Sequence, residues 1–202
     1  MPPSHTSQAA RTRRRDEILR IAMETFATRG YHNASLAEIA ERAGLTQAGV
    51  LHHFRSKAGL LTGVLDLRDR DDIAALGEER PRGLAFLRHL VETAARNAER
   101  EGIVRLYAVL SAESVTEGHP AQEYFAARYE GLRALLVEAL EEAGTLGEIP
   151  AGLDPTAAAC AVIAVMDGLQ VQWLLAPGEV DMAAATELVI GALLGRPLSE
   201  AG

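Results

Sequence analysis

Cysteine is almost absent from this chain. The single thiol, Cys160, excludes an internal disulfide and a cysteine-based zinc site. Its place in the apolar run Ala157 to Val165 reads as a small buried hydrophobe. Aromatic residues are scarce too, 4% against 48% hydrophobic, so any core is built from aliphatic side chains. No stretch of roughly 18 residues is uninterruptedly apolar, as a membrane span requires. The nearest candidate, Ala157 to Ala176, contains Asp167, Gln170 and Gln172. The basic start of the chain is followed by an amphipathic segment carrying Asp16, Glu17 and Glu24, not by an apolar signal core, and a cytoplasmic location is expected. A Gly-rich phosphate loop, GxSxG, HExxH and a paired-carboxylate frame are all missing. No catalytic residue, metal or cofactor is therefore expected. His52 and His53 invite a metal, but neighbours on a helix point about 100° apart and no Cys or carboxylate stands at ligand spacing beside them.

Charge is present but uneven. The 202 residues carry 20 Lys+Arg and 28 Asp+Glu, a net −8. Residues 1 to 70 hold 11 and 7 of these, a balance of +4, which leaves 9 and 21, a balance of −12, for the remainder. A polyanion would be met by the first third only.

Period-two alternation is not sustained anywhere, whereas apolar residues recur at spacings of three and four, so the chain reads as all-α with about nine helices. The first spans about 12–28, with Ile18, Ile21, Ala22, Thr25 and Phe26 on its inner stripe and Gly30 at its end. Ser35 and Glu38 form a capping box for a short second helix that stops at Ala43 before Gly44. Thr46 caps a third through His52, and Ser56 a fourth through about Leu76. Beyond a linker from Gly77 to Gly83, helices are expected near 82–100, 102–116, 120–143, 156–175 and 181–194.

Two short helices joined by Ala43-Gly44-Leu45, with Ile39, Ala40, Leu45 and Val50 inward, match a helix-turn-helix whose second helix is offered to DNA. Its outward positions, Thr46, Gln47, Ala48 and Gly49, are small or amide-bearing, which lets the helix enter a major groove. There Gln47 can pair with a base edge, and a Thr46 or Ala48 methyl can touch thymine. Phosphate contacts would come from Ser35 with the second helix's first amides, from His52, His53 and Lys57, and from Arg11, Arg13, Arg14 and Arg15.

The run Ala22-x3-Phe26-x3-Gly30-Tyr31, then Ser35-Leu36-x2-Ile39-Ala40-x2-Ala43-Gly44-Leu45-Thr46, then His52-His53-Phe54-x-Ser56-Lys57-x2-Leu60-Leu61 resembles the DNA-binding domain of TetR-family transcriptional regulators. The resemblance covers about residues 12–72. It implies a basic flexible arm over 1–11, a three-helix DNA-binding domain over 12–72 with the helix-turn-helix at 35–54, and a larger helical ligand-binding and dimerisation domain over 73–202. It puts Thr46, Gln47 and Gly49 where bases are read, and His52, His53 and Lys57 where the backbone is gripped. Two positions depart from the family pattern. Leu51 replaces a common tyrosine whose hydroxyl meets phosphate, and Gly59 replaces a common acidic residue, which should weaken that turn by about 1 kcal/mol.

The resemblance further implies a homodimer formed through the last two helices, Pro155 to Leu175 and Asp181 to Leu194, on double-stranded operator DNA. It also implies a small-molecule effector bound among the fifth to eighth helices. Apolar stripes over the rest of the chain read as Phe125, Tyr129, Leu132, Leu136 and Ala139; Ile163, Ala164, Val171 and Leu174; and Met182, Ala185, Val189, Ala192 and Leu193, and part of that surface is expected to serve a partner. Candidate effector contacts are His89, Tyr107, Glu113, Tyr124, Asp167, Gln170 and Trp173. His119 reads as a loop or helix-start residue, and Arg105 with Glu113 as a solvated pair. A carboxylate at Asp167, in the apolar run Val162 to Leu169, calls for a hydrogen-bond donor, an interface or a ligand. The expectation is a repressor released by its effector. The alternative is a helical adaptor that has lost DNA binding.

Overall fold

The computed structural model describes the backbone of residues 5–76 and 81–198. Among the described residues there are nine helices and no strand: α1 (His5–Asn33), α2 (Leu36–Arg42), α3 (Gln47–Phe54), α4 (Lys57–Leu76), α5 (Gly83–Asn97), α6 (Glu101–Glu113), α7 (Gln122–Thr145), α8 (Pro155–Leu175) and α9 (Met182–Leu194). They form two compact units, one of residues 1–75 with 109–122 and the other of residues 76–108 with 123–202. The boundary expected from sequence, at 72/73, is crossed once more than anticipated: the end of α6 and the α6–α7 loop group with the N-terminal unit. Most of the Gly77 to Gly83 linker lies outside the described residues.

In the first unit, Ile18, Leu19, Ala22, Thr25 and Phe26 of α1 are buried together with Ile39, Ala40, Val50, Leu60, Leu61 and Val64. The expected flexible arm is corrected over residues 5–11, which continue α1. No glycine or proline follows Pro3 there, and residues such as Ala and Arg favour the helix. Gly30, at φ 72 and ψ 173, breaks α1, and a last turn resumes over 31–33.

In the second unit α5, α7, α8 and α9 share a core of Leu84, Leu87, Leu136, Leu140, Ala159, Val162, Ile190 and Leu194. A smaller cluster joins Ala94, Val104, Trp173 and Met182. Three sequence readings change here: on α8 the stripe is split, with Ala164 and Val171 exposed and Ile163 and Leu174 half-buried. The inner line of α9 is Met182, Thr186, Ile190 and Leu194, with Ala192 exposed, because an all-round apolar helix gives periodicity nothing to choose between. Cys160 is exposed for the same reason, on a face of α8 that looks away from the core.

Candidate nucleic-acid interface and effector site

Local hydrogen bonds build the helix-turn-helix. Ser35 Oγ accepts the Glu38 amide at 3.0 Å and starts α2, but only this half of the expected capping box forms, because the Glu38 carboxylate lies instead 3.8 Å from Arg29 Nε. At the other end of α2, Gly44 has φ 62. Its N–H donates to the Glu41 carbonyl (3.0 Å) and that of Leu45 to the Ala40 carbonyl (2.8 Å), a Schellman closure that turns the chain toward α3. Thr46 Oγ1 then accepts the Gly49 amide at 3.1 Å. The Thr46 hydroxyl oxygen accepts for this cap and keeps its own O–H to donate. Thr46, Gln47 and Ala48 are exposed and Gly49 and Leu51 half-buried, whereas Val50 and Phe54 anchor the opposite side of α3 in the core.

After α3, Arg55 adopts φ 60 and Ser56 Oγ caps Gly59 at 2.9 Å to begin α4. A Cβ on Gly59 would fall 2.4 Å from the Phe54 carbonyl oxygen. Glycine here is a condition for α4 to start so close to α3, which its helix propensity does not reveal.

Basic side chains gather beside His53. Burial lowers the His53 pKa, and His52, Arg11, Arg14 and Arg15 lower it further by repulsion. Several also hold the helix-turn-helix together: Arg14 donates to Glu17 (2.6 Å) and to the Ala43 carbonyl (2.5 Å), and the Arg15 guanidinium lies 5.0 Å from the Phe54 ring centroid. Lys57 donates to the His32 carbonyl at 3.1 Å and sits 4.6 Å from the Tyr31 ring centroid. Its pKa is lowered by desolvation, an effect that the nearby Glu113 opposes.

In the second unit, α6, α7 and α8 bring together Tyr107, Tyr124, Arg128, Tyr129 and Asp167. The Tyr107 and Tyr124 hydroxyls are 2.7 Å apart, and the Arg128 guanidinium lies 4.6 Å from the Tyr107 ring centroid. Tyr129 donates to Asp167 Oδ2 at 2.7 Å. Burial raises the Asp167 pKa, with the Tyr129 hydrogen bond and the Arg128 charge acting the other way. Of the three partners sequence allowed for Asp167, the structure supplies the donor. Further along α8, Gln170 is half-buried and Trp173 is buried. His89 stacks on Phe86 with centroids 6.4 Å apart, and its pKa is lowered by burial and by Arg96, against Glu92. Among the described residues no group of three or more His, Cys, Asp or Glu is placed to hold a metal ion.

Residues 18–64 match the model for bacterial regulatory proteins of the tetR family, and residues 82–194 match the C-terminal domain of BetI-type transcriptional repressors. The chain belongs to the TetR family of transcriptional regulators. It is 29% identical over 185 residues, 86% of each chain, to the regulator TtgR of Pseudomonas putida. Among solved structures it resembles FadR from Bacillus subtilis in complex with stearoyl-CoA, at TM-score 0.73 and 20% identity over 88% of this chain and 96% of that one. It also resembles the triclosan complex of SmeT, the repressor of the Stenotrophomonas maltophilia multidrug efflux pump SmeDEF, at TM-score 0.73 and 20% identity over 90% of each. These relatives give the adaptor alternative no support.

Within this TetR-family chain, sequence reasoning missed the part played by Arg128. Its signal was available, because Tyr124 and Arg128 stand four apart on one face of α7. Glu113, grouped on sequence with the effector contacts, sits in the DNA-binding unit and accepts the Tyr31 amide at 2.7 Å. Arg105 pairs with Glu101 instead. His119 is likewise buried in the first unit, edge-on to Tyr31 and His32. No sequence pattern announces either contact.

Proposed function

We propose that this regulator is a homodimeric, cytoplasmic repressor that grips operator DNA with α3 and lets go when a small molecule occupies the second unit. The observation that carries this reading is the two-sided character of α3. Val50 and Phe54 fix it to the core, while Thr46, Gln47 and Ala48 stand exposed, with Arg11, Arg14, Arg15 and His52 close enough to lower the pKa of His53. Gln47 is assigned to a base edge, the Thr46 and Ala48 methyls to thymine, and Gly49 to close approach. Ser35, His52, His53, Lys57, Arg14 and Arg15 are assigned to the phosphate backbone, with Leu51 packing in place of a hydroxyl contact. Residues 12–72 then form the DNA-binding domain, and most of 73–202 the effector and dimer domain.

Two reading helices must reach successive major-groove faces about 34–36 Å apart, which requires a twofold partner. Helix α8 presents Cys160, Ala164, Val171 and Leu175 as exposed residues at spacings of four and seven, and α9 presents Ala184, Leu188 and Ala192 at spacings of four. Leu175 is 82% exposed and Leu188 73%. By length and composition α8 could cross a membrane, and with only 22% of its most apolar stretch buried, most of that apolar surface faces outward. In a TetR-family regulator such a surface is best accounted for by the same helices of a second copy. The relatives bound to triclosan and stearoyl-CoA support an effector with substantial apolar surface. Tyr107, Tyr124, Tyr129 and Asp167 are proposed to meet its polar end, with Gln170 and Trp173 beside them.

The deciding experiment selects duplexes from a random-sequence library with the full-length protein and measures binding across a salt series. A selected sequence should emerge, with affinity falling steeply as salt rises because phosphate contacts release counterions. Gln47→Ala should weaken the selected duplex more than random DNA. Failure of any sequence to enrich would defeat the reading.

A further inference from the structure

Glu113 is the last residue of α6, where the helix carbonyls already concentrate partial negative charge and a carboxylate is unfavourable unless another group meets it. Another group does, from 82 residues away. Glu113 Oε2 accepts the Tyr31 amide at 2.7 Å, a charge-assisted hydrogen bond, just where α1 is broken. Gly30 permits the approach: with φ 72 it turns its backbone, and a Cβ there would lie 2.1 Å from Glu113 Oε1. The resumed turn is then tied to α4, because Lys57 donates to the His32 carbonyl and covers the Tyr31 ring. Lys57 follows the end of α3 by only three residues. Behind the carboxylate stands His119, its side chain fully buried. Its Nδ1 accepts the Ala121 amide at 3.2 Å, and its Nε2 has no hydrogen-bond partner and lies 3.8 Å from Glu113 Oε2.

We propose that Glu113 is a positioning residue for DNA binding: by holding the Gly30–Tyr31 joint it sets, through Lys57, the start of α4 and hence the attitude of α3. This rests on the reading of α3 as the DNA-contacting helix. Glu113 touches no DNA in this scheme; it acts through the break in α1 and the only lysine in the chain. Withdrawing it should loosen the angle of the reading helix without removing any assigned DNA contact. Specific recognition, which needs the angle, should suffer more than non-specific attraction, which needs only charge.

The test uses full-length protein and the duplex enriched by the wild type. If nothing enriches, the DNA-binding reading fails by itself. If a duplex enriches, Glu113→Ala should bind it at least about tenfold more weakly while random DNA of the same length is bound within about twofold of wild type. Glu113→Gln, whose amide oxygen can still accept the Tyr31 N–H, should recover most of the loss. Faster hydrogen exchange at the Tyr31 amide and a shift of the single lysine signal in protein labelled at lysine Cε should accompany the loss in the alanine variant. A variant that binds both DNAs as wild type does, or weakens both alike, overturns the proposal. Should Glu113→Ala fold poorly, Glu113→Asp, which keeps the charge but draws it back by one methylene, is subject to the same two outcomes.

Discussion

Helices α2 and α3 and helices α8 and α9 both leave part of their surface uncovered, but the uncovered surfaces differ in kind. On α3 the open face carries a hydroxyl that accepts for its own cap, an amide and an alanine methyl, with histidines and arginines around it. On α8 and α9 it carries Cys160, Val171, Leu175 and Leu188. The first suits a hydrated polyanion, the second another protein surface. Each open face thus points to a class of partner, because a polar face keeps its water until charge displaces it, whereas an apolar face loses free energy for as long as water touches it.

The contrast can be broken most sharply at the apolar end. Replacing Leu175 and Leu188 together by glutamate should leave the helical content of the protomer intact, since both side chains are already exposed. It should raise the dimer dissociation constant by more than about 100-fold, because burial of each leucine contributes about 1.5–3 kcal/mol. Sedimentation velocity over a concentration series reads this directly, and an unchanged dimer would remove α8 and α9 from the interface.

A second substitution probes the DNA-binding unit. On propensity alone Gly59→Ala should stabilise α4 by about 1 kcal/mol. The added Cβ, 2.4 Å from the Phe54 carbonyl oxygen, should instead cost about 2 kcal/mol and lower the urea midpoint. A rise in that midpoint would show that α4 can start without so close an approach.

The smallest effect expected is one of pH. Burial and neighbouring cations hold His53 below the ordinary imidazole range in the free protein. The phosphate proposed to meet it would offset that repulsion and raise the pKa in the complex, so binding would take up a proton. Affinity for the selected duplex should therefore be flat above the bound-state pKa and grow as pH falls from there toward the free-state pKa. A one-unit difference limits the gain to about tenfold. His53→Gln should abolish the slope, and a slope that survives belongs to another group.

What could be read in advance was local. Ser35, Thr46 and Ser56 each accept the amide three residues on, as their positions before apolar periodic segments suggest, and Gly44 closes α2 as expected. The cluster around Asp167 was half legible: its carboxylate demanded a partner, but that Tyr129 supplies the donor and Arg128 bridges toward Tyr107 depends on how α6, α7 and α8 are packed. Nothing in the spacing of residues 30 and 113 foretold that one would make room for the other.

The sequence by itself determined the helices, their caps, the basic first third and the helix-turn-helix, because capping, turn chemistry and amphipathic periodicity act over a few residues. The tertiary structure alone decided which face of α9 turns inward, that Cys160 lies open, that Gly59 is a packing requirement, and that Glu113 joins the DNA-binding unit. Those outcomes depend on steric fit and on charges brought together from distant parts of the chain, and neither is encoded in any short window of residues.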